Sequence, residues 1–279
     1  MVVTRSPIGV FDSGLGGLTV FKALARRMPE EALIYFGDTA RLPYGSKSPE
    51  AITRASTEAA RFLAGRGIKL LVVACNTSSA WALPSIRRAL KVPVVGVVEP
   101  GARAATAVSR GGRIGIIGTE ATVKSRAYAR AIKALSPRVK TYSEACPLFV
   151  PLVEEGWWSG AVVDAVARKY AAPLKRAGVD TLILGCTHYP YLKSVLSRVM
   201  GRNVLLIDSA EETAIETQRI LSDLGLRAPR GGRGRREFYA SDAPKRFQRL
   251  ARRMLGEAGV TRVRLHSFDD RAISGKAAA

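Results

Sequence analysis

Residues 70–78 read LLVVACNTS and residues 181–188 read TLILGCTH, and these two stretches decide the fold. Each is a short apolar run that stops at a cysteine and passes into small polar residues. A run with no polar alternation reads as a strand buried on both faces, which is how strands look in a parallel sheet covered by helices. Five more runs share the pattern: PIGVFDS (7–13), ALIYFGD (32–38), VPVVGVV (92–98), RIGIIGT (113–119) and VLLIDSA (204–210). Between them lie segments such as SPEAITRASTEAARFLAGRG (48–67), with apolar residues at helical spacing and Gly at the end. The class is α/β, and ligands of such sheets bind outside the carboxyl ends of the strands.

The strand ends also match one another. Ile114 of IGIIGTE follows Ile8 of IGVFDSG by 106 residues, and Cys186 follows Cys75 by 111. Two pseudo-symmetric α/β domains are expected, each a mostly parallel sheet flanked by helices, with the active site in the cleft between them. The first domain takes residues 1–98 plus 208–279, so LLIDSAEETAIETQRIL and the remainder of the chain pack back on it; the second takes residues 99–207.

Composition narrows the classes. The chain has 279 residues, 47% of them hydrophobic, so it can bury a large core and is not a disordered polymer. Three cysteines are too few, and odd in number, for a secreted disulfide framework. No signal-peptide core precedes the first strand, and no apolar run nears the roughly 18 residues of a membrane span. A soluble cytoplasmic chain is expected, without an added N-terminal regulatory segment. The net charge of +21 invites a nucleic-acid reading, yet Lys and Arg are scattered at solvent-facing positions and no RNA- or DNA-binding motif accompanies them. Nucleic acid is not expected as the main partner. The densest basic stretch, RAPRGGRGRREF (227–238), reads as a flexible solvated loop, with Arg230 to Arg236 on the surface.

Chemistry gathers at the strand ends. Cys75 leads into Asn76, Thr77 and the helical segment SSAWALPSIRRAL; Cys186 leads into Thr187 and His188. A thiol at a helix N-terminus feels the positive end of the helix dipole, which lowers its pKa from about 8.5 toward neutrality and fits it to act as base or nucleophile. The bland reading of either cysteine alone is a small buried hydrophobe. Asp12 and Ser13 end the first strand before Gly14-Leu15-Gly16-Gly17, where backbone N–H groups can approach an anion, or where Asp12 simply caps the next helix. No Lys follows those glycines, so the stretch is not a nucleotide-binding Walker loop. Asp38, Pro43, Tyr44 and Gly45 fall in a turn after another strand, and Thr119 ends RIGIIGT. Glu154 is either a catalytic acid or, like its neighbour Glu155, a charge on a helical turn. Cys146 has no counterpart at a repeated strand end and reads as packing. Cys186-Thr187-His188 does not have the spacing of common zinc sites, and a Cys75–His188 hydrolase dyad leaves the second thiol unused, so no metal is expected.

FDSGLGGLTV, GDTARLPYG, ACNTSSA, FVPLVEEG and GCTHYPYL, in this order and spacing, closely resemble the glutamate racemases of the cofactor-independent aspartate/glutamate racemase superfamily, over residues 8 to about 212. The resemblance implies interconversion of L- and D-glutamate, which supplies D-glutamate to peptidoglycan synthesis, with no cofactor. It implies that Cys75 and Cys186 are the two catalytic thiols, tuned by Asp12 and His188, with Glu154 a further acid near the second thiol. The matching substrate-binding positions are Asp12, Ser13, Pro43, Tyr44, Gly45, Asn76, Thr77, Thr119, Thr187 and His188. Inversion needs a base on one face of the α-carbon and an acid on the other, and two like groups satisfy that. Glutamate is the expected small-molecule partner, no membrane is, and a homodimer is left open. The alternatives are a racemase of the same superfamily acting on aspartate or a related acid, and a nucleic-acid-binding or regulatory protein using the charge.

Overall fold

The computed structural model describes residues 4–229, 231–256, 260 and 262–268. Arg230, part of the basic stretch, lies outside the described residues. Among the described residues, ten strands form two all-parallel sheets. β1 (Ile8–Asp12), β2 (Leu33–Gly37), β3 (Leu70–Val73), β4 (Val94–Gly96), β9 (Arg236–Ala240) and β10 (Val263–Leu265) make the first, in the order β10-β9-β2-β1-β3-β4. β5 (Arg113–Gly118), β6 (Lys140–Ala145), β7 (Thr181–Gly185) and β8 (Leu205–Asp208) make the second, in the order β6-β5-β7-β8. The run β2-β1-β3-β4 therefore repeats, strand for strand, as β6-β5-β7-β8. In both sheets the chain reverses its direction of growth about the central strand, which places a switch point between β1 and β3 and another between β5 and β7.

The apolar strands are explained by what covers them. In β1, Ile8 and Val10 face a core shared with helices α1 (Leu18–Arg27), α11 (Ser209–Asp223) and α12 (Pro244–Leu255), while Phe11 faces α2 (Pro49–Ala64) and α4 (Leu83–Ala89). The second sheet is covered by α5 (Val98–Val108) and α7 (Ala127–Leu135) on one face. On its other face lie α8 (Phe149–Glu154), α9 (Ala161–Arg176) and α10 (Lys193–Met200). At the start of α2 the Ser48 hydroxyl accepts from Ala51 N at 3.2 Å, with Pro49 in the first turn.

Four expectations change. The segment after Cys75 is two helices, α3 (Asn76–Trp81) and α4, broken at Ala82 just before Pro84. Residues after 208 do not pack on the first half alone: α11 lies against both α1 and α5 and joins the halves, while β9 and β10 extend the first sheet beyond β2. Cys146 does stand at a repeated strand end, since it follows β6 as Asp38 follows β2; it is fully buried, in agreement with packing. Finally, the basic stretch is not all solvated loop. Arg227 pairs with Glu30 at 2.6 Å, and Arg236 opens β9 while its guanidinium donates to the carbonyls of Glu31 and Pro29.

Candidate active site

The residues at the carboxyl ends of β1, β3, β5 and β7 meet across the two halves. Asp12 ends β1; its Oδ2 accepts from Gly14 N at 3.0 Å, and its Oδ1 accepts from the Thr187 hydroxyl of the other half at 3.3 Å. The glycine-rich turn thus folds around the protein's own carboxylate, and Asp12 is not the cap of α1, whose N-cap is Gly17. Gly16 is obligatory for another reason: a Cβ there would lie 2.3 Å from Thr187 Oγ1 and 2.6 Å from His188 Nδ1. The first half touches the second at this point with no room for a side chain.

Cys75 is the N-cap of α3. Its Sγ accepts from Ser78 N at 3.5 Å and lies 3.5 Å from Ser13 Oγ. The helix terminus lowers this thiol through the Ser78 N–H, but by too little to decide its charge. Burial pushes Cys75 up to about 11, the Asp12 charge adds to the rise, and the bonds to Ser13 and Ser78 offset only part of it. A helix of one and a half turns offers a weak dipole, and desolvation of the thiolate wins. The expectation of a near-neutral Cys75 is therefore corrected: this thiol holds its proton at neutral pH.

Cys186, directly after β7, has a different neighbour. Its Sγ is 3.7 Å from His188 Nδ1, and His188 Nε2 is 3.1 Å from Glu154 Oε1 at the end of α8. Burial opposes a charged imidazole here, but the bonds to Cys186 and Glu154 outweigh it and raise His188 to about 10. His188 is an imidazolium at neutral pH. Burial likewise raises Asp12, against the lowering effects of His188 and of the bonds from Gly17, Gly14 and Thr187. Glu154 is thus engaged with the site, whereas its neighbour Glu155 meets Arg246 on the surface at 3.4 Å.

Hydroxyls and an amide from the residues after Cys75 reach across to the second half. Thr77 Oγ1 of the first half is 2.9 Å from Thr119 Oγ1 and 3.1 Å from Thr122 Oγ1 of the second. Asn76 Oδ1 accepts from the Tyr128 hydroxyl at 2.6 Å, which leaves Asn76 Nδ2 a buried donor with no partner. Gly45 packs on Thr119, where a Cβ would come within 2.6 Å of the Thr119 Cβ. Tyr44 is buried beside it, while Pro43 is exposed and stays outside the cluster. Thr122 and Tyr128 escaped the sequence reading. Thr122 lies in α6 (Glu120–Ser125), three residues after the capping Thr119, a spacing that brings both hydroxyls to one turn; for Tyr128, inside α7, the sequence carries no signal.

Among the described residues no group of three or more His, Cys, Asp or Glu side chains is placed to hold a metal ion, and no helix is long and apolar enough to cross a membrane.

This chain matches the family profile Asp/Glu/hydantoin racemase over residues 8–217. It is 56% identical over 249 residues to the glutamate racemase of Geobacter metallireducens, covering 89% of this chain and 92% of that protein. The crystal structure of glutamate racemase from Francisella tularensis in complex with D-glutamate superposes with a TM-score of 0.90 at 35% identity, covering 96% of this chain and all of that one. That of glutamate racemase from Thermus thermophilus in complex with β-chloro-D-alanine superposes with a TM-score of 0.87 at 48% identity, covering 96% and 99%. Two parallel α/β halves meeting at their strand ends, together with this likeness over nearly the whole length, establish that the chain belongs to the Asp/Glu/hydantoin racemase family.

Proposed function

We propose that this chain interconverts L- and D-glutamate by proton transfer between two thiols, and so supplies D-glutamate for peptidoglycan synthesis in the cytoplasm. The observation that carries the reading is the placement of Cys75 and Cys186 after equivalent strands of the two sheets, among side chains that join the halves. One thiolate removes the α-proton from one face, and the opposite thiol delivers a proton to the other. His188, held by Glu154, supplies the counter-charge when Cys186 has given up its proton. Asp12 holds Thr187 and the Gly14 turn in place and faces Cys75.

An α-proton beside a carboxylate is weakly acidic, so the site must stabilise the carbanionic transition state with fixed donors. The Asn76 amide, the hydroxyls of Ser13, Thr77, Thr119 and Thr187, and the backbone of the Tyr44-Gly45 segment are the groups assigned to the substrate's carboxylates and amine. Nearly all of them are buried, so admitting substrate requires the halves to part, and closure excludes water. The two connections that cross between the sheets, at α5 and α11, support a division into residues 1–98 plus 208–279 and residues 99–207, hinged there. Self-association as a homodimer is compatible with this arrangement.

Proton NMR of D- and L-glutamate, and of D- and L-aspartate, in D₂O with the protein tests the reading. Washout of the α-proton with inversion is expected for glutamate and not for aspartate. Faster exchange of aspartate would move the substrate assignment, and no exchange of either acid would sink it.

A further inference from the structure

Asp38, the residue after β2, is fully buried and bonds to neither thiol. Three donors converge on it: the Ser241 hydroxyl at 2.8 Å on Oδ1, Arg41 Nε at 2.7 Å on Oδ2, and the Tyr44 hydroxyl on the same Oδ2. Ser241 follows β9, the strand added to the repeat. Its backbone N–H donates to Gly37 O at 3.1 Å, and its hydroxyl accepts from Ala40 N at 2.8 Å. Next to it, Thr39 Oγ1 donates to Asp242 O at 2.6 Å and accepts from Asp242 N at 2.9 Å. One end of the 38–45 segment is thus stitched to the turn after β9, and the other end, Gly45, rests on Thr119 of the second half. The Tyr44 ring sits in the core, 6.3 Å from the Phe11 ring. Burial, reinforced by the Asp38 charge, keeps the phenol protonated, so its single proton is committed to Asp38. The second half has no such hub, since Cys146 stands where Asp38 would.

We propose that Asp38 is a positioning residue: held by Ser241 and Arg41, it uses the Tyr44 hydroxyl to fix the Pro43–Gly45 segment against Thr119 when the halves close on glutamate. The proposal rests on the glutamate-racemising reading of the site.

The test compares the full-length wild type with Tyr44→Phe, Asp38→Asn, their double variant and Ser241→Ala. It reads kcat and KM for both glutamate enantiomers and amide hydrogen exchange over residues 39–47. Tyr44→Phe is expected to raise KM about tenfold while kcat changes less than about threefold, because the bond acts on binding geometry and not on proton transfer. Asp38→Asn, which puts an NH2 donor where a carboxylate oxygen accepts, should raise KM at least as much, and the double variant should be no worse than Asp38→Asn alone, because the Tyr44 bond runs through Asp38. Ser241→Ala should shift KM in the same direction, by less. Exchange over 39–47 should quicken in Tyr44→Phe; this holds the proposal open to refutation if Asp38→Asn does not fold. An unchanged KM or unchanged exchange in Tyr44→Phe overturns the proposal, as do fully additive effects in the double variant. A wild type that does not turn over glutamate removes the functional reading instead, and the exchange comparison still decides whether this bond holds the segment.

Discussion

At the scale of single residues, the two thiols are alike in position and unlike in surroundings. Cys75 sits beside an anion, Asp12, and Cys186 beside a cation, His188. Replacing either by alanine is expected to reduce racemisation by about 10³-fold or more, the upper part of what a positioned acid–base group contributes. Either single variant should still eliminate a leaving group from a suitable substrate analogue, because that needs one face only. Full racemase activity in both variants would end the two-thiol assignment. His188 also links stability to pH. Its folded value of about 10 lies above the unfolded value of about 6.5, so its contribution is complete below about pH 6.5 and is lost as the pH rises through about 10. Urea midpoints of the wild type should fall across that window beyond any fall in His188→Asn; parallel curves would show that His188 gains nothing from Glu154 and Cys186.

At the scale of elements, the turn between β1 and α1 is set by the atoms it must clear. Gly16 does not have a positive φ, so Gly16→Ala imposes no backbone strain. Its new methyl would displace Thr187 and His188. The fold should therefore persist while kcat/KM falls about a hundredfold, the cost of a misplacement near 1 Å; an unchanged kcat/KM with a normal melting curve would contradict the close approach. The same contrast between local backbone and distant neighbours separates what is legible in the sequence from what is not. The seven apolar strands can be read, and so can both cysteine-bearing ends, because burial writes itself into the residues; β8 is the exception, apolar in sequence yet only partly covered at the sheet edge. β6, with KTYSEA partly exposed, and the short β10 at the sheet edge carry no such signature. β9 is hidden behind its run of arginines. The Cys75 environment misleads because a helix start is visible in sequence, whereas the desolvation that outweighs it depends on the other half of the chain.

At the scale of the whole molecule, the late part of the chain is fastened to the first sheet at the end remote from the thiols. Lys69 and Glu31 are both fully buried and pair at 2.5 Å; the Lys69 ammonium also donates to Thr4 O and Leu226 O, and Glu31 accepts from Ala228 N. Lys69→Met would strand a buried carboxylate and should cost about 3–5 kcal/mol in urea denaturation, with activity in the folded fraction retained. A loss within about 1 kcal/mol would show that Arg227 and water take over the charge. The charge of +21, by contrast, is mostly spread over exposed arginines and has no part in placing the thiols. The repeated strand order β2-β1-β3-β4 and β6-β5-β7-β8 sets two thiols in equivalent places with unequal neighbours, and a thermodynamic constraint limits how that inequality can show. Mirror-image amino acids have equal free energies, so their equilibrium constant is one, and the ratio kcat/KM must be the same in both directions whatever the protein does. Any difference between the two directions that the unequal neighbours of Cys75 and Cys186 produce must therefore lie in how each direction divides that common ratio: the enantiomer with the larger KM must have the larger kcat, in strict proportion.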